Sequence, residues 1–264
     1  MTVSFDVEAF QNLLSGTPPR LGSPVTWCAA TASTNDDAFR AAAAGAPDGA
    51  LFVSDTQTAG RGRRGNTWHS EPGEGLLFSL LLVRELGHAQ AELLPLVAGL
   101  AVRAAVARAL EASRVTQAVR VKWPNDVLVG TKKLAGILVE GRARGTGPAR
   151  WVVGVGLNLG RLSLPASVSS RATSLTGLGA RAISREALLH QILLELGTRL
   201  DAWNDGRGGQ IVSELQRFDA LVGCPISVGG VRGVGEGIGD DGCLLIRDGH
   251  GELHRVRSGH VEHG

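Results

Sequence analysis

An α+β or mixed α/β layer architecture, followed by a small separate β domain, is predicted by three features of the sequence. LLFSLLLV at Leu76 to Val83 is nearly unbroken in its apolar character and reads as a strand covered on both faces. Glu92 to Ala112 and Ser184 to Trp203 carry Leu, Val and Ala at helical spacing and supply the layers that cover it. From about Ala220 the texture changes to short β-prone runs divided by Gly and Asp, PISVGGVRGVGEGIGDDGCLLIRDGHGELHRV, which fits a closed or partly closed β unit. The break at Leu221 to Pro225 divides the chain into residues 1–220 and 221–264.

The remaining elements follow in order. Phe5 to Leu14 reads as a short helix stopped by Thr17-Pro18-Pro19. Ser33-Thr34-Asn35 ahead of DDAFRAAAAGAP reads as a cap and a helix ending at Gly45 and Pro47. Strands are expected at Ala50 to Thr56, Val119 to Trp123, Leu134 to Glu140 and Trp151 to Leu157, with GRARGTGPA at 141–149 as a hairpin loop. The stretch before Ser33 is too short for a winged-helix domain, which needs roughly 50 residues.

Composition removes several function classes. The 264 residues are 43% hydrophobic with no uninterrupted apolar stretch of membrane length, and the start, MTVSFDVEAFQNLL, lacks the pattern of a secretory signal. A soluble cytoplasmic protein is expected. Cys28, Cys224 and Cys243 are odd in number and far apart, so neither a disulfide framework nor a zinc knuckle is written, and the C-terminal histidines His250, His254, His260 and His263 follow no ligand spacing. A net charge of +2 is too small for a protein that coats nucleic acid by bulk electrostatics. Any anion site is therefore local.

Positive charge points to where it lies. The chain has only three lysines, Lys122, Lys132 and Lys133, all within VKWPNDVLVGTKKLAGILVE, against arginines everywhere else. A compact ammonium suits a phosphate or a reacting carboxylate differently from a planar guanidinium. GRGRRG at Gly60 to Gly65 matches a dinucleotide fingerprint in letters, but NTWHSEPGEG follows it and excludes the helix that fingerprint requires. What remains is a glycine-rich loop whose Arg61, Arg63 and Arg64 can close over an anion or rest in solvent. Trp68 is either a stacking platform or a core residue. KWPND at Lys122 to Asp126 is a tight turn whose Asn125 and Asp126 can also face a magnesium-bound phosphate. Lys133 opens the next strand, where the turn brings it back beside Lys122. Gly136 lets the backbone or a ligand approach closely, Gly154 and Gly156 leave room for a flat ligand or for tight helix packing, and Asn158 ends the last of these strands.

STN at 33–35, QTAGRGRRGNTW at 57–68, KWPND at 122–126, KLAGILVE at 133–140 and GVGLNL at 154–159 stand in an order and spacing that closely resemble biotin protein ligases, over about residues 25–264. The resemblance implies an α+β catalytic domain of the biotin and lipoate ligase fold, a mixed sheet flanked by helices, with a small SH3-like C-terminal domain. It implies ATP, Mg2+ and biotin as reactants, and transfer through biotinyl-5′-AMP to one lysine of a biotin carboxyl carrier protein. Ser33, Thr34, Asn35, Gln57, Arg61, Gly62, Arg63, Lys133 and Gly136 would then line the biotin site, and Arg63, Trp68, Lys122, Asn125, Lys133 and Asn158 the nucleotide site. Lys133, Arg61, Arg63 and Asp126 would carry catalysis, with no resident metal. The chain departs from the family's regulatory members in having no room for an N-terminal DNA-binding domain, so a monofunctional enzyme that binds no DNA and no membrane is expected, with a homodimer left open.

Overall fold

The computed structural model describes residues 4–15, 21–144 and 147–263; the Thr17-Pro18-Pro19 breaker and the tip of the 141–149 hairpin lie outside the described residues. Strands β1 (Val25–Thr31), β2 (Leu51–Gln57), β3 (Gly75–Val83), β4 (Val119–Lys122), β5 (Asp126–Val129), β6 (Lys132–Arg144) and β7 (Gly147–Asn158) form one sheet in the order β1-β2-β3-β7-β6-β5-β4. β1 and β2 run parallel and every other pair antiparallel. The helices are α1 (Val7–Ser15), α2 (Thr34–Ala43), α3 (His88–Ala112), the single turn α4 (Ala166–Ser169), α5 (Arg185–Asn204) and α6 (Gly208–Phe218).

Successive residues of a strand point to opposite faces, and β2 uses both. Leu51 and Val53 enter the large core with α3 and α5, whereas Phe52 joins Ala38, Phe39 and Ala42 of α2, together with Leu81 and Val152. α3 is apolar round most of its circumference because it lies between the sheet and α5. By length and composition it could cross a membrane, but Arg103 and Arg108 interrupt its apolar run and 67% of its most apolar window is buried inside the protein. α2 covers only part of the opposite face. The uncovered remainder of that face forms the floor of the site described below.

Besides the single turn α4, three elements are additions to the sequence reading. β1 is an edge strand of half-exposed small residues without alternation, β5 is four residues long inside a turn-rich segment, and α6 opens on two glycines. None carries a strong periodic signal.

The C-terminal strands β8 (Pro225–Val228), β9 (Val231–Ile238), β10 (Leu244–Arg247), β11 (Leu253–Val256) and β12 (Glu262–His263) form an antiparallel sheet in the order β11-β10-β9-β8-β12, consistent with an SH3-like unit. Its apolar side, Ile226, Val228, Ile238, Leu244 and Ile246, is continuous with the main core, and Trp123 Nε1 donates to the Gly242 carbonyl at 3.0 Å. Asp219 sits at the junction after α6. One of its oxygens accepts from the Leu221 N–H at 2.9 Å, while Oδ2 is buried without a partner among the described residues. Burial lifts this carboxyl to about 6, against smaller opposing effects of that hydrogen bond and of Arg120.

Candidate active site

Cross-strand partners in an antiparallel pair share a face, and here they place a row of small residues side by side. Ser79 opposes Gly154, Gly154 opposes Leu138, Gly156 opposes Gly136, and Val152 opposes Glu140. Val152 packs on α2, so Ser79, Gly136, Gly154, Gly156 and Glu140 all lie on the α2 face. A side chain on Gly154 would collide with the Asn35 amide, and one on Gly156 with the Trp68 indole. At Gly136 an added Cβ would stand 3.1 Å from the Trp68 ring and 3.0 Å from Lys133 Nζ. Of the two readings of these glycines, Gly154 takes helix packing, and Gly136 with Gly156 seats an aromatic ring belonging to the chain itself.

The start of α2 is tied to this floor by hydrogen bonds. Ser33 has extended backbone ahead of the helix, but its side chain makes no capping bond. Thr34 N–H donates to Gln57 Oε1 at 2.8 Å. Ser79 Oγ lies 2.6 Å from Asn35 Oδ1 and 2.7 Å from Thr34 Oγ1. The amide oxygen can only accept, so the Ser79 hydroxyl donates to Asn35 and the Thr34 hydroxyl is left to donate to Ser79 or, at 3.1 Å, to Gln57. Asn35 Nδ2 in turn donates to Glu140 Oε2 at 2.6 Å. Ser33, Thr34, Asn35 and Ser79 are all buried, which makes this a preformed polar wall.

The glycine-rich segment is a miniature hairpin. Arg61 bridges to Thr67, Trp68 N–H donates to the Gly60 carbonyl at 2.9 Å, and Gly62 N–H to Asn66 at 2.7 Å. Arg64 and Gly65, with φ of 57° and 76°, reverse the chain at its tip. Arg61 forks onto Asp36 at 2.6 and 2.8 Å and reaches Glu140 at 3.4 Å. Each holds the other's charge, the hydrogen bond to Arg61 lowering Asp36 and that to Asp36 raising Arg61. Arg63 differs. Its side chain makes no ion pair or hydrogen bond with a described residue, and burial followed by the charge of Arg64 pushes its guanidinium below the usual arginine range. Gly62 lies against Asn66 within the hairpin.

At the other end of the floor, Trp123-Pro124-Asn125 turns β4 into β5. Asn125 N–H donates to Lys122, its Nδ2 donates to the Ile137 carbonyl at 2.6 Å, and Ile137 N–H returns a bond to Asn125, so the turn is stapled to β6. Lys133 is held at both backbone groups by Arg171 and Thr173, and Asn158 Nδ2 fixes the same segment through the Thr173 carbonyl at 3.0 Å. Lys133 Nζ lies 2.6 Å from Asp126 Oδ1 and 5.7 Å from the Trp68 ring centre. Burial pushes Lys122 below the usual lysine range; Asp126 opposes this, and Lys133 and Arg171 add to it. Lys122, Lys133 and Arg63 thus all feel the Asp126 carboxylate, Arg63 feeling Glu92 as well, and the excess of positive charge favours an added anion. A depression of about 560 Å³ lined by Lys132, Arg161, Thr173, Ser174 and Gly177 lies beyond the 171–173 segment, beside this floor and not on it.

Residues 27–158 match the Biotin/lipoate A/B protein ligase family, half of the chain, spanning the motifs assembled above as far as Asn158. The chain belongs to this family. Among its curated relatives, a biotin–[acetyl-CoA-carboxylase] ligase of Mycobacterium tuberculosis is 35% identical over 242 residues, covering 89% of this chain and 87% of that protein. The bifunctional ligase/repressor BirA of Bacillus spizizenii is 32% identical over 238 residues, 88% of this chain and 71% of that one. Among solved structures, the biotin protein ligase of Aquifex aeolicus in complex with biotin and ATP superposes with a TM-score of 0.76 at 26% identity, covering 92% of this chain and all of that one.

Four contributors to the site were not singled out in the sequence: Asp36, Ser79, Glu140 and Arg171. Only Ser79 left a trace there, as one hydroxyl within an otherwise apolar strand that has to find a partner when buried. The others become visible only when distant segments meet.

Proposed function

We propose that this member of the family is a biotin protein ligase that joins biotin to one lysine of a biotin carboxyl carrier protein through biotinyl-5′-AMP, at the expense of ATP. The observation that carries the reading is the cluster of Lys122, Lys133 and Arg63 round Asp126, next to a preformed polar wall on a glycine floor. In the first step a biotin carboxylate oxygen bonds to the α-phosphorus and pyrophosphate leaves. Two anions must approach each other, and fixed cations in a site from which water is excluded offset that repulsion. Lys133 is the group best suited to lie between them, with Lys122 and Arg63 on the nucleotide side. Mg2+ would accompany the phosphates as their counter-ion, and Asp126 with Asn125 Oδ1, whose amide nitrogen is committed to the Ile137 carbonyl, would be the oxygens able to meet it.

In the second step the carrier's lysine amine attacks the acyl carbon, AMP departs and a proton is lost. Asp126 would orient that amine or accept its proton once Lys133 has turned to the phosphate, since their 2.6 Å pairing occupies the carboxylate otherwise. Thr34, Asn35 and Gln57 would hold the ring system of the acid, and the Trp68 indole, seated on Gly136 and Gly156, would form one wall.

The nearest alternative, lipoate as the acid, is separated by exchange of labelled pyrophosphate into ATP with each acid in turn. Exchange dependent on biotin is expected; exchange with lipoate alone would refute the substrate. Salt-sensitive binding of RNA or DNA with no acid-dependent exchange would instead assign the arginine loop to nucleic acid.

A further inference from the structure

We infer that Asp36 and Glu140 are positioning residues that clamp Arg61 and thereby set how firmly the glycine-rich hairpin stays shut over the reaction intermediate. The inference deepens the adenylation reading and rests on it. The hairpin has two attachments. On one side the Trp68 indole lies on the glycine pair Gly136 and Gly156; on the other, Arg61 is forked onto Asp36 and touches Glu140. Neither carboxylate is free to drift. Asp36 stands in the first turn of α2, whose start is bonded to Gln57 and Ser79, and Glu140 is held by the buried Asn35 amide.

The clamp is built to give way. Arg61 and Asp36 are 40% and 36% exposed, and ion pairs at that exposure are weak and screened by salt. A hairpin so attached can release without unfolding. It also divides labour between neighbouring arginines: Arg61 is spent on two carboxylates of the chain, while Arg63, two residues on, has no partner among the described residues and stays available to a ligand phosphate. Closing the first arginine on the protein directs the second toward the cluster round Asp126.

The test compares wild type with Asp36→Asn, Glu140→Gln and Asp36→Glu in two measurements. The first is the rate at which preformed acyl-adenylate escapes in the absence of carrier, at low and high salt. The second, independent of any ligand, is the rate of tryptic cleavage after Arg63 and Arg64. Asp36→Asn is expected to raise both rates about threefold to tenfold, Glu140→Gln less, and Asp36→Glu is expected to restore them in part. Added salt should speed escape from the wild type more than from Asp36→Asn, in which only the longer Arg61–Glu140 pair remains to be screened, a behaviour that a merely structural role for Asp36 would not produce. Equal escape and equal cleavage in wild type and Asp36→Asn would overturn the clamp. If the wild type forms no acyl-adenylate, the adenylation reading fails, and the cleavage rates alone decide whether Asp36 holds the hairpin.

Discussion

At the α2 end of the site, Thr34, Asn35, Gln57 and Ser79 satisfy one another through buried and part-buried hydrogen bonds, whereas at the Lys133 end Lys122, Lys133 and Arg63 outnumber the carboxylates Asp126 and Glu92. The first region is complete without a ligand. The second is electrostatically unfinished, and its remaining positive charge is an affinity for anions. A wall that is prebuilt can select an uncharged ring system without reorganising, while a charged end that is open on one side can accept phosphates and release pyrophosphate. The two ends should therefore respond oppositely to substitution, one in stability and the other in catalysis.

Lys133→Ala should produce the largest change. Acid-dependent pyrophosphate exchange is expected to fall by about a hundredfold or more, the scale of removing a group that meets developing charge. The melting temperature should hardly move, because the Lys133–Asp126 pair is 36% and 24% exposed and such pairs contribute no more than about 1 kcal/mol. Exchange at the wild-type rate in a folded variant would sink the assignment of Lys133. Ser79→Ala should show the reverse balance. The substitution strips a fully buried hydroxyl from Asn35 and Thr34, at about 1–3 kcal/mol in urea unfolding, with a smaller loss of exchange than in Lys133→Ala. Stability unchanged in Ser79→Ala would mean that the wall is not preformed.

Asp219→Asn sharpens the contrast from outside the site, since Asp219 is a buried carboxyl with one oxygen unpartnered among the described residues. Its folded value, about 6, stands above the ordinary 3.8, so the folded state binds more protons than the unfolded chain between those limits. Wild-type stability therefore falls as pH rises from about 4 to 6 and stays reduced above, by on the order of 1–3 kcal/mol from this group. The Asn variant keeps a side-chain oxygen for the Leu221 N–H and cannot ionise. It should be more stable than wild type at pH 8, with the advantage vanishing near pH 4; parallel stability curves would show that the carboxyl is already compensated.

Much of the fold was legible in strong local patterns. The run at Leu76 to Val83, the two long helices and the change of texture near Ala220 each depend on composition within a single segment, and each corresponds to a described element or sheet. β1 and β5 escaped because a short or half-exposed strand is stabilised by its neighbours and carries no period of its own, and α6 because its opening glycines argue against the helix it forms. The glycine-rich segment was legible as a loop able to meet anions. Its closure as a hairpin depends on Trp68 finding Gly136 and Gly156 far along the chain.

By itself the sequence determined which groups are available: a few lysines in one stretch, arginines between glycines, and glycines spaced along two strands. These are properties of residue type and spacing, which local sterics and charge translate directly. Only the tertiary structure decided how they are spent, with Gly154 given to Asn35, Gly156 to Trp68, Arg61 to Asp36 and Glu140, and Arg63 left without a partner among the described residues. Hydrogen bonds and ion pairs act over a few ångströms, so the partner of each group is set by which strands the fold lays side by side, and no local pattern encodes that.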